Sequence, residues 1–108
     1  MTATLEDFEE LDLEVGTVQT VREHPDADNL LLLDVDLGEL DTRQLVAGIR
    51  EDYTAEELEG RQIVVVTNLE PAEIRGETSE GMLLAADAER HVALIEPDKA
   101  VPNGTTVR

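Results

Sequence analysis

Residues 30–37 read Leu-Leu-Leu-Leu-Asp-Val-Asp-Leu, and this stretch decides the type of fold. Side chains alternate between the two faces of an extended chain, so every second residue shares a face. One face carries Leu31, Leu33, Val35 and Leu37. The other face begins with Leu30 and Leu32 and ends in two aspartates. This period of two predicts a strand with one fully apolar face in a core.

Weaker β-type patterns lie on both sides of this strand. Leu11–Val21 alternates before it. Gly16 interrupts the period, and Val18 and Val21 follow in a shifted register, which predicts a bulge that bends the strand. Thr42–Ile49 predicts the next strand, and Arg61–Thr67 is apolar on both faces, which is typical of a central strand. Met82–Ala86 and Val92–Ile95 predict a hairpin, and a short last strand follows Pro102-Asn103-Gly104.

Two capping boxes predict short helices. Thr4 with Asp7 opens one that runs to Leu11, and Thr54 with Glu57 opens another with Leu58 buried and Gly60 at its end. The connections are turns at His24–Asp28 and Gly38–Asp41 and a long loop from Asn68 to Gly81.

This order of elements predicts an all-β fold with short helices. It fits a five-stranded Greek-key barrel of the oligonucleotide/oligosaccharide-binding (OB) type, with a short N-terminal helix and extra C-terminal strands. A chain of 108 residues suits one domain, which we expect to span residues 1–108.

The composition favours a cytoplasmic protein without a membrane partner. No run of roughly 18 apolar residues occurs. Residues 1–10 lack the basic and apolar regions of a secretory signal. The absence of cysteine excludes disulfides, a thiol nucleophile and cysteine-based zinc sites.

The charge is extreme for this length. Twenty-six acids face eight bases, Lys99 is the only lysine, and the formal net charge is −18. A disordered acidic tail would gather the acids at one end, and an EF-hand would gather them in one loop, but they are spread along an apolar-patterned chain. Scattered acids favour a protein of a molar-salt cytoplasm, where the Debye length falls to roughly 3 Å.

The motifs argue against catalysis. Ser79 is the only serine, and Glu77 stands where the Gly-x-Ser-x-Gly pattern needs glycine. No phosphate-cradling loop is present, so we expect neither an enzyme nor a cofactor. His24 beside Asp26 and Asp28 is a weak metal pattern; a solvated turn is the favoured interpretation, and we expect no metal site.

Non-specific binding of single strands is also disfavoured. Such barrels stack bases on aromatic rings in a basic groove. Phe8 and Tyr53 are the only aromatic residues, and both lie outside the predicted strands. Any nucleic acid bound by this chain has to be recognised by shape and hydrogen bonds.

Residues 68–86 read Asn-Leu-Glu-Pro-Ala-Glu-Ile-Arg-Gly-Glu-Thr-Ser-Glu-Gly-Met-Leu-Leu-Ala-Ala. This segment closely resembles the signature of the tRNA-binding domain family. That family includes free-standing dimeric tRNA-binding proteins, the C-terminal module of many methionyl-tRNA synthetases and the endothelial monocyte-activating polypeptide II domain. Four further segments resemble the family in the expected order: Asp7–Gly16, His24–Leu30, Arg43–Ile49 and Val101–Gly104.

The resemblance implies a non-catalytic module that grips the outer corner of folded tRNA with little sequence preference. It implies action alone or in trans with methionyl-tRNA synthetase, as a non-catalytic subunit. A homodimer is also implied, and the apolar pair Leu30 and Leu32 is the expected interface. The candidate tRNA-binding residues are Arg75, Ser79, Asn68, Met82, Arg43 and Gln44.

Each candidate contact rests on side-chain chemistry. Arg75 is the only base in the long loop and can fork onto a phosphate. Asn68 and Ser79 can bond to phosphate or ribose, and Met82 can pack against a base or sugar. The structural alternatives are that Asn68 ties the loop to its own backbone and that Met82 fills the core.

The chain departs from the family where lysines are common. Glu70, Glu73 and Asn29 stand at those positions, which weakens phosphate binding at ordinary salt. Counterion release contributes little in molar salt, so the substitutions are compatible with RNA binding there. The alternatives are a protein-binding, chaperone-like module and an assembly domain of a synthetase complex, both without RNA binding.

Overall fold

The computed structural model describes residues 1–108 as short strands and two short helices. The helices are α1 (Leu5–Glu9) and α2 (Ala55–Leu58), and a 3₁₀ turn spans Gly38–Leu40. The strands are β1 (Leu13–Glu23), β2 (Leu31–Asp36), β3 (Thr42–Ala47), β4 (Gln62–Val66), β5 (Ala72–Ile74), β6 (Glu77–Ser79), β7 (Met82–Leu83), β8 (Ala85–Asp87), β9 (Val92–Leu94) and β10 (Thr106–Val107). Neither helix is long and apolar enough to cross a membrane.

The long strand β1 organises the main sheet. It pairs with β4 and β10 through its first half and with β2 through its second half, so the order is β3-β2-β1-β4-β7 with every pair antiparallel. The outer edge of β3 bonds to the segment before β7. The N–H of Glu80 donates to the carbonyl of Gln44 at 2.8 Å. The sheet is therefore a nearly closed barrel, and the predicted all-β OB-type class is confirmed.

The barrel interior is filled by aliphatic side chains. All four residues predicted for the apolar face of β2 are at most 1% exposed. The buried residues that contact one another inside the barrel are Val18, Leu31, Leu33, Val35, Leu37, Leu45, Ala47, Ile49, Leu58, Ile63 and Val65. The predicted inner faces of β2 and β3 and the central position of β4 are thus confirmed. Burial of these side chains is the main stabilising contribution to the fold.

The capping boxes form as predicted. The Thr4 hydroxyl accepts from the N–H of Asp7, and the Asp7 carboxylate accepts from the N–H of Thr4. Thr54 and Glu57 make the same reciprocal pair at the start of α2. The α1 helix ends at Glu9, before the predicted end, and the strand that follows begins at residue 13.

The bulge predicted between Gly16 and Val21 is present in β1. The register between β1 and β2 shifts between Val18 and Thr20. Gly16 itself stays in register with β4, at a point where the barrel interior is crowded. A Cβ on this residue would lie 2.7 Å from side-chain carbons of both Leu37 and Val35, so glycine is required there for close packing.

The predicted long loop at residues 68–81 contains a hairpin. Strands β5 and β6 pair, and the two-residue turn between them is Arg75-Gly76, with φ of 51° and 85°. Two positive φ values are typical of the type I′ turns that close tight hairpins. Strands of three residues are too short for their alternation to be recognised in the sequence, which is why the hairpin was missed.

The predicted strand Met82–Ala86 is divided between two partners. Its first part, β7, pairs with β4 and continues the barrel. Its second part, β8, leaves the barrel and pairs with β9 in a separate hairpin. The predicted last strand is present as β10, paired with the start of β1.

Candidate nucleic-acid interface

Two of the motifs recognised in the sequence meet at one end of the barrel. The turn at His24–Asn29 joins β1 to β2, and the β5–β6 hairpin folds back over it. The Nε2 atom of His24 lies 2.9 Å from the carbonyl oxygen of Arg75. The Nη2 atom of Arg75 donates to the carbonyl of Asp26 at 3.0 Å. We call the His24–Asn29 turn together with the β5–β6 hairpin the clamp. In OB barrels the ligand-binding loops lie at corresponding connections.

The apolar underside of the clamp explains the fate of the predicted dimer face. Ile74 of the hairpin packs against a cluster on the outer side of β2 and β3, formed by Ala27, Leu30, Leu32 and Val46. Leu30 is 8% exposed and Leu32 is 1% exposed within a single chain. The expectation of a spare apolar face at these two residues was wrong, because the missed hairpin covers them.

Ser79 and Gln44 fasten the hairpin to β3. The Ser79 hydroxyl accepts from the N–H of Val46 at 3.0 Å and donates to the carbonyl of Gly81 at 2.9 Å. The Gln44 amide donates to the carbonyl of Thr78 at 2.8 Å. Ser79 is only 4% exposed, so its hydroxyl is engaged inside the protein.

Arg43 and Asn68 hold other parts of the barrel closed. The guanidinium of Arg43 donates to the carbonyls of Thr67 and Glu80, which tie β3 to the ends of β4 and β6. The Asn68 side chain accepts from the N–H of Asp12 at 2.8 Å and donates to the carbonyl of Glu10 at 2.7 Å. Asn68 thus bonds to backbone, but to the segment before β1 and not to that of its own loop, as the structural alternative had it.

Arg75 and Met82 remain accessible. Met82 is 51% exposed on β7, so the alternative in which it fills the core was wrong. Arg75 is exposed at the tip of the hairpin. A guanidinium has five N–H donors, and one hydrogen bond, to Asp26, involves the Arg75 side chain. Arg75 takes part in neither of the two ion pairs of the structure.

Arg22 is a functional candidate that the sequence analysis missed. It is exposed on the outer side of β1, and its Nη2 donates to Oε1 of Gln44 at 2.9 Å. Gln44 in turn reaches the hairpin, so Arg22 and the clamp belong to one hydrogen-bonded surface. The sequence does contain a signal for this residue: side chains alternate along β1, and Val21 packs on the core, so Arg22 must lie on the outer face.

The clamp is unsuited to metal binding. The Nδ1 of His24 accepts from the N–H of Asp26 at 3.0 Å, and the other ring nitrogen faces the Arg75 carbonyl. The ring is 4% exposed, so the predicted solvated position of His24 was wrong. No cluster of three or more potential ligands for a metal ion occurs in the chain.

The chain matches the family described as "Putative tRNA binding domain" over residues 13–106. It is 51% identical to methionine–tRNA ligase of Pyrococcus abyssi over 108 residues, which are the whole of this chain and 15% of that protein. Two solved structures are similar over their full lengths. One is chaperone CsaA from Bacillus anthracis, with 38% identity, a TM-score of 0.92 and complete coverage of both chains.

The second is a methionyl-tRNA-synthetase-related protein from Pyrococcus horikoshii, with 33% identity and a TM-score of 0.93, covering 100% of this chain and 99% of the other. The chain thus spans a small part of the curated ligases that it matches but the whole length of these small solved relatives.

Proposed function

Because this chain belongs to the tRNA-binding domain family, we propose that it is a non-catalytic module that binds folded tRNA. It recognises the outer corner of the tRNA by shape, with little sequence preference. It acts alone or in trans with a methionyl-tRNA synthetase, a proposal supported by the relatives that are methionine–tRNA ligases.

The observation that carries the proposal is the presentation of Arg75. The hairpin tip holds an exposed guanidinium beside the turn between β1 and β2, and Arg22 lies on the surface that continues from it through Gln44. Arginine forks suit phosphate oxygens geometrically. We assign the direct contacts to Arg75, Met82 and Arg22, whereas Ser79, Gln44, Asn68 and Arg43 hold the surface in shape.

The aromatic residues support recognition by shape. Phe8 lies in α1, and the hydroxyl of Tyr53 accepts from the N–H of Leu94 at 3.1 Å, with the Arg61 guanidinium over its ring. Neither ring lies on a barrel strand, so the bases of a single strand have no stacking platform there. Contacts to phosphate and ribose of a folded RNA require no such platform.

The net charge supports work at high salt. A formal charge of −18 repels RNA at low ionic strength, and Glu70 and Glu73 lie on the segment that presents Arg75. At roughly 1 M salt the Debye length is about 3 Å, so repulsion between separated charges largely disappears. Direct hydrogen bonds from arginine then decide binding. We propose that the protein belongs to a salt-rich cytoplasm.

We propose that the protein is a homodimer and that its interface lies at the N-terminal end of the chain. Leu5 is 73% exposed, and Phe8 and Leu11 are each 42% exposed. Phe8 and Leu11 line a cavity of about 210 Å³ together with Val107 of β10. Phe8→Asp should give a monomer by light scattering. Leu40→Asp, at a residue 40% exposed elsewhere, is the matched control.

The test of the function is tRNA binding by the purified protein at roughly 2 M KCl, where charge screening is nearly complete. Arg75→Glu should abolish binding, and Arg90→Glu, an identical charge change at an exposed residue between β8 and β9, should not. Absence of binding by the native protein would contradict the proposal. The protein-binding, chaperone-like alternative would then be tested with protein partners.

A further inference from the structure

The turn between β1 and β2 contains a buried imidazole, that of His24, whose hydrogen-bond partners allow only one tautomer. His24 Nδ1 lies 3.0 Å from the main-chain nitrogen of Asp26, and Nε2 lies 2.9 Å from the carbonyl oxygen of Arg75. The Asp26 N–H can only donate, so Nδ1 accepts. The ring proton is therefore on Nε2, and this N–H donates a hydrogen bond to the carbonyl oxygen of Arg75, so the Nε2–H tautomer of the imidazole satisfies both partners.

The residue whose carbonyl accepts this hydrogen bond has an unusual backbone. Arg75 has a φ of 51°, in the left-handed region that residues with a Cβ rarely adopt. It is the first residue of the hairpin turn, and the direction of its side chain depends on this conformation. A hydrogen bond to its carbonyl fixes the peptide plane that follows Arg75 and so holds the turn in its strained form.

The other anchors of the hairpin act on its strands and not on the two turn residues. Thr78 and Ser79 are fastened to β3 from strand β6, and Ile74 packs from strand β5. The tip itself has two bonds to the barrel, the one from His24 and the one from the Arg75 side chain to Asp26. The His24 bond is to the main chain of Arg75, so it does not depend on what the guanidinium binds.

We propose that His24 is a positioning residue for RNA binding: its Nε2–H holds the main chain of Arg75 while the guanidinium engages a phosphate. This inference rests on the proposed function. His24 itself touches no RNA, because its ring is 4% exposed and both of its nitrogens are engaged by protein groups.

Two substitutions separate the two bonds of the ring. In His24→Gln the longer side chain places an amide N–H near the position of Nε2 and retains the bond to Arg75. In His24→Asn the shorter side chain places an amide oxygen near Nδ1, which retains the bond to Asp26 and loses Arg75. If His24 only stabilises its own turn, His24→Asn should bind tRNA better than His24→Gln. If His24 positions Arg75, His24→Gln should bind tRNA better than His24→Asn.

The experiment measures tRNA affinity at high salt for the native protein, His24→Gln, His24→Asn and Arg75→Glu, with thermal unfolding of each. We expect His24→Gln to bind within about threefold of the native protein and His24→Asn to lose about tenfold or more, a loss that corresponds to about 1.4 kcal/mol. If His24→Asn binds tRNA like the native protein while Arg75→Glu does not bind, the inference about His24 is overturned and the proposed function stands. Absence of binding by the native protein would overturn the proposed function and this inference with it.

Nitrogen NMR of the native protein gives a measurement that needs no variant. The His24 signals should show the proton on Nε2, and that N–H should remain protected from solvent when tRNA is added. A proton on Nδ1, or loss of protection on binding, would overturn the inference even if His24→Asn fails to fold.

Discussion

The main-chain N–H of Val46 donates to the hydroxyl of Ser79 at 3.0 Å, although the two residues are 33 positions apart in the sequence. Val46 lies on β3 at the open edge of the barrel, where the next strand would supply a carbonyl. The hydroxyl takes the place of that carbonyl as acceptor, and it donates its own hydrogen bond to the carbonyl of Gly81. A serine expected to contact RNA therefore completes the barrel and anchors the base of the hairpin.

Ser79→Ala should destabilise the protein. The buried Val46 N–H would lose its partner, which costs about 1–3 kcal/mol. Denaturant unfolding measures this, and tRNA affinity under conditions where the variant is folded should stay within a few-fold of native. Unchanged stability with lost binding would mean instead that the hydroxyl contacts RNA.

Leu32→Asp should unfold the chain rather than dissociate a dimer. Leu32 is 1% exposed beneath the hairpin, and an unpaired buried charge costs about 3 kcal/mol or more. Unfolding experiments combined with light scattering at fixed salt distinguish the two effects. A stable monomer from Leu32→Asp would restore this residue as an interface.

Arg22→Ala should weaken tRNA binding by roughly tenfold, since a hydrogen bond to a charged group contributes about 1.5–3 kcal/mol. Stability should change by less than about 0.5 kcal/mol because the side chain is exposed. Filter binding or fluorescence titration at high salt measures the affinity, with Arg90→Ala as the control. If Arg22→Ala binds like the native protein, the outer side of β1 lies outside the interface.

Glu96→Gln should lower stability at neutral pH and have no effect in strong acid. Hydrogen bonds from Arg61 at 2.8 and 2.9 Å hold the pKa of the Glu96 carboxyl below its usual value of 4.5. Because the pKa of Glu96 is lower in the folded state, its ionised form stabilises the fold at pH values above the pKa of the unfolded state. This stabilisation is lost as the pH falls through the pKa of the folded state.

The two side chains of this ion pair are each 33% exposed, so we expect about 0.5 kcal/mol at low salt and less at high salt. Denaturant unfolding of native protein and variant across pH measures the difference between them. Glu89→Gln, at an exposed residue, is the control. A difference that persists below the titration of the carboxyl would contradict the assignment.

The periodic features of the sequence predicted the barrel well. The alternation at residues 30–37, the apolar run at 61–67 and the two capping boxes all appear as predicted. These signals are local: a period of two or a cap depends on neighbouring residues, and burial against the core then reinforces it. The signature at residues 68–86 likewise placed the chain in its family.

The details of the site did not follow from the sequence. Ser79, Asn68 and Gln44 have the side chains of RNA-contacting residues, yet each is engaged by backbone groups of segments distant in the sequence. The same hydrogen-bonding capacity serves a ligand or the protein, and only the position of partners far along the chain decides between them. His24 shows the reverse case, because its turn motif gave no sign of burial.

By itself the sequence determined the four main barrel strands β1 to β4, the caps, the barrel class and the one base of the clamp hairpin, because apolar periodicity and composition act along the chain. The tertiary structure alone decided that a hairpin covers Leu30 and Leu32, that His24 reaches the carbonyl of Arg75, and that Arg22 joins the same surface. Those relations depend on the pairing of the strands and on the packing of the hairpin against the turn, which bring residues together at sequence separations of 22 to 51, where a local pattern carries no information.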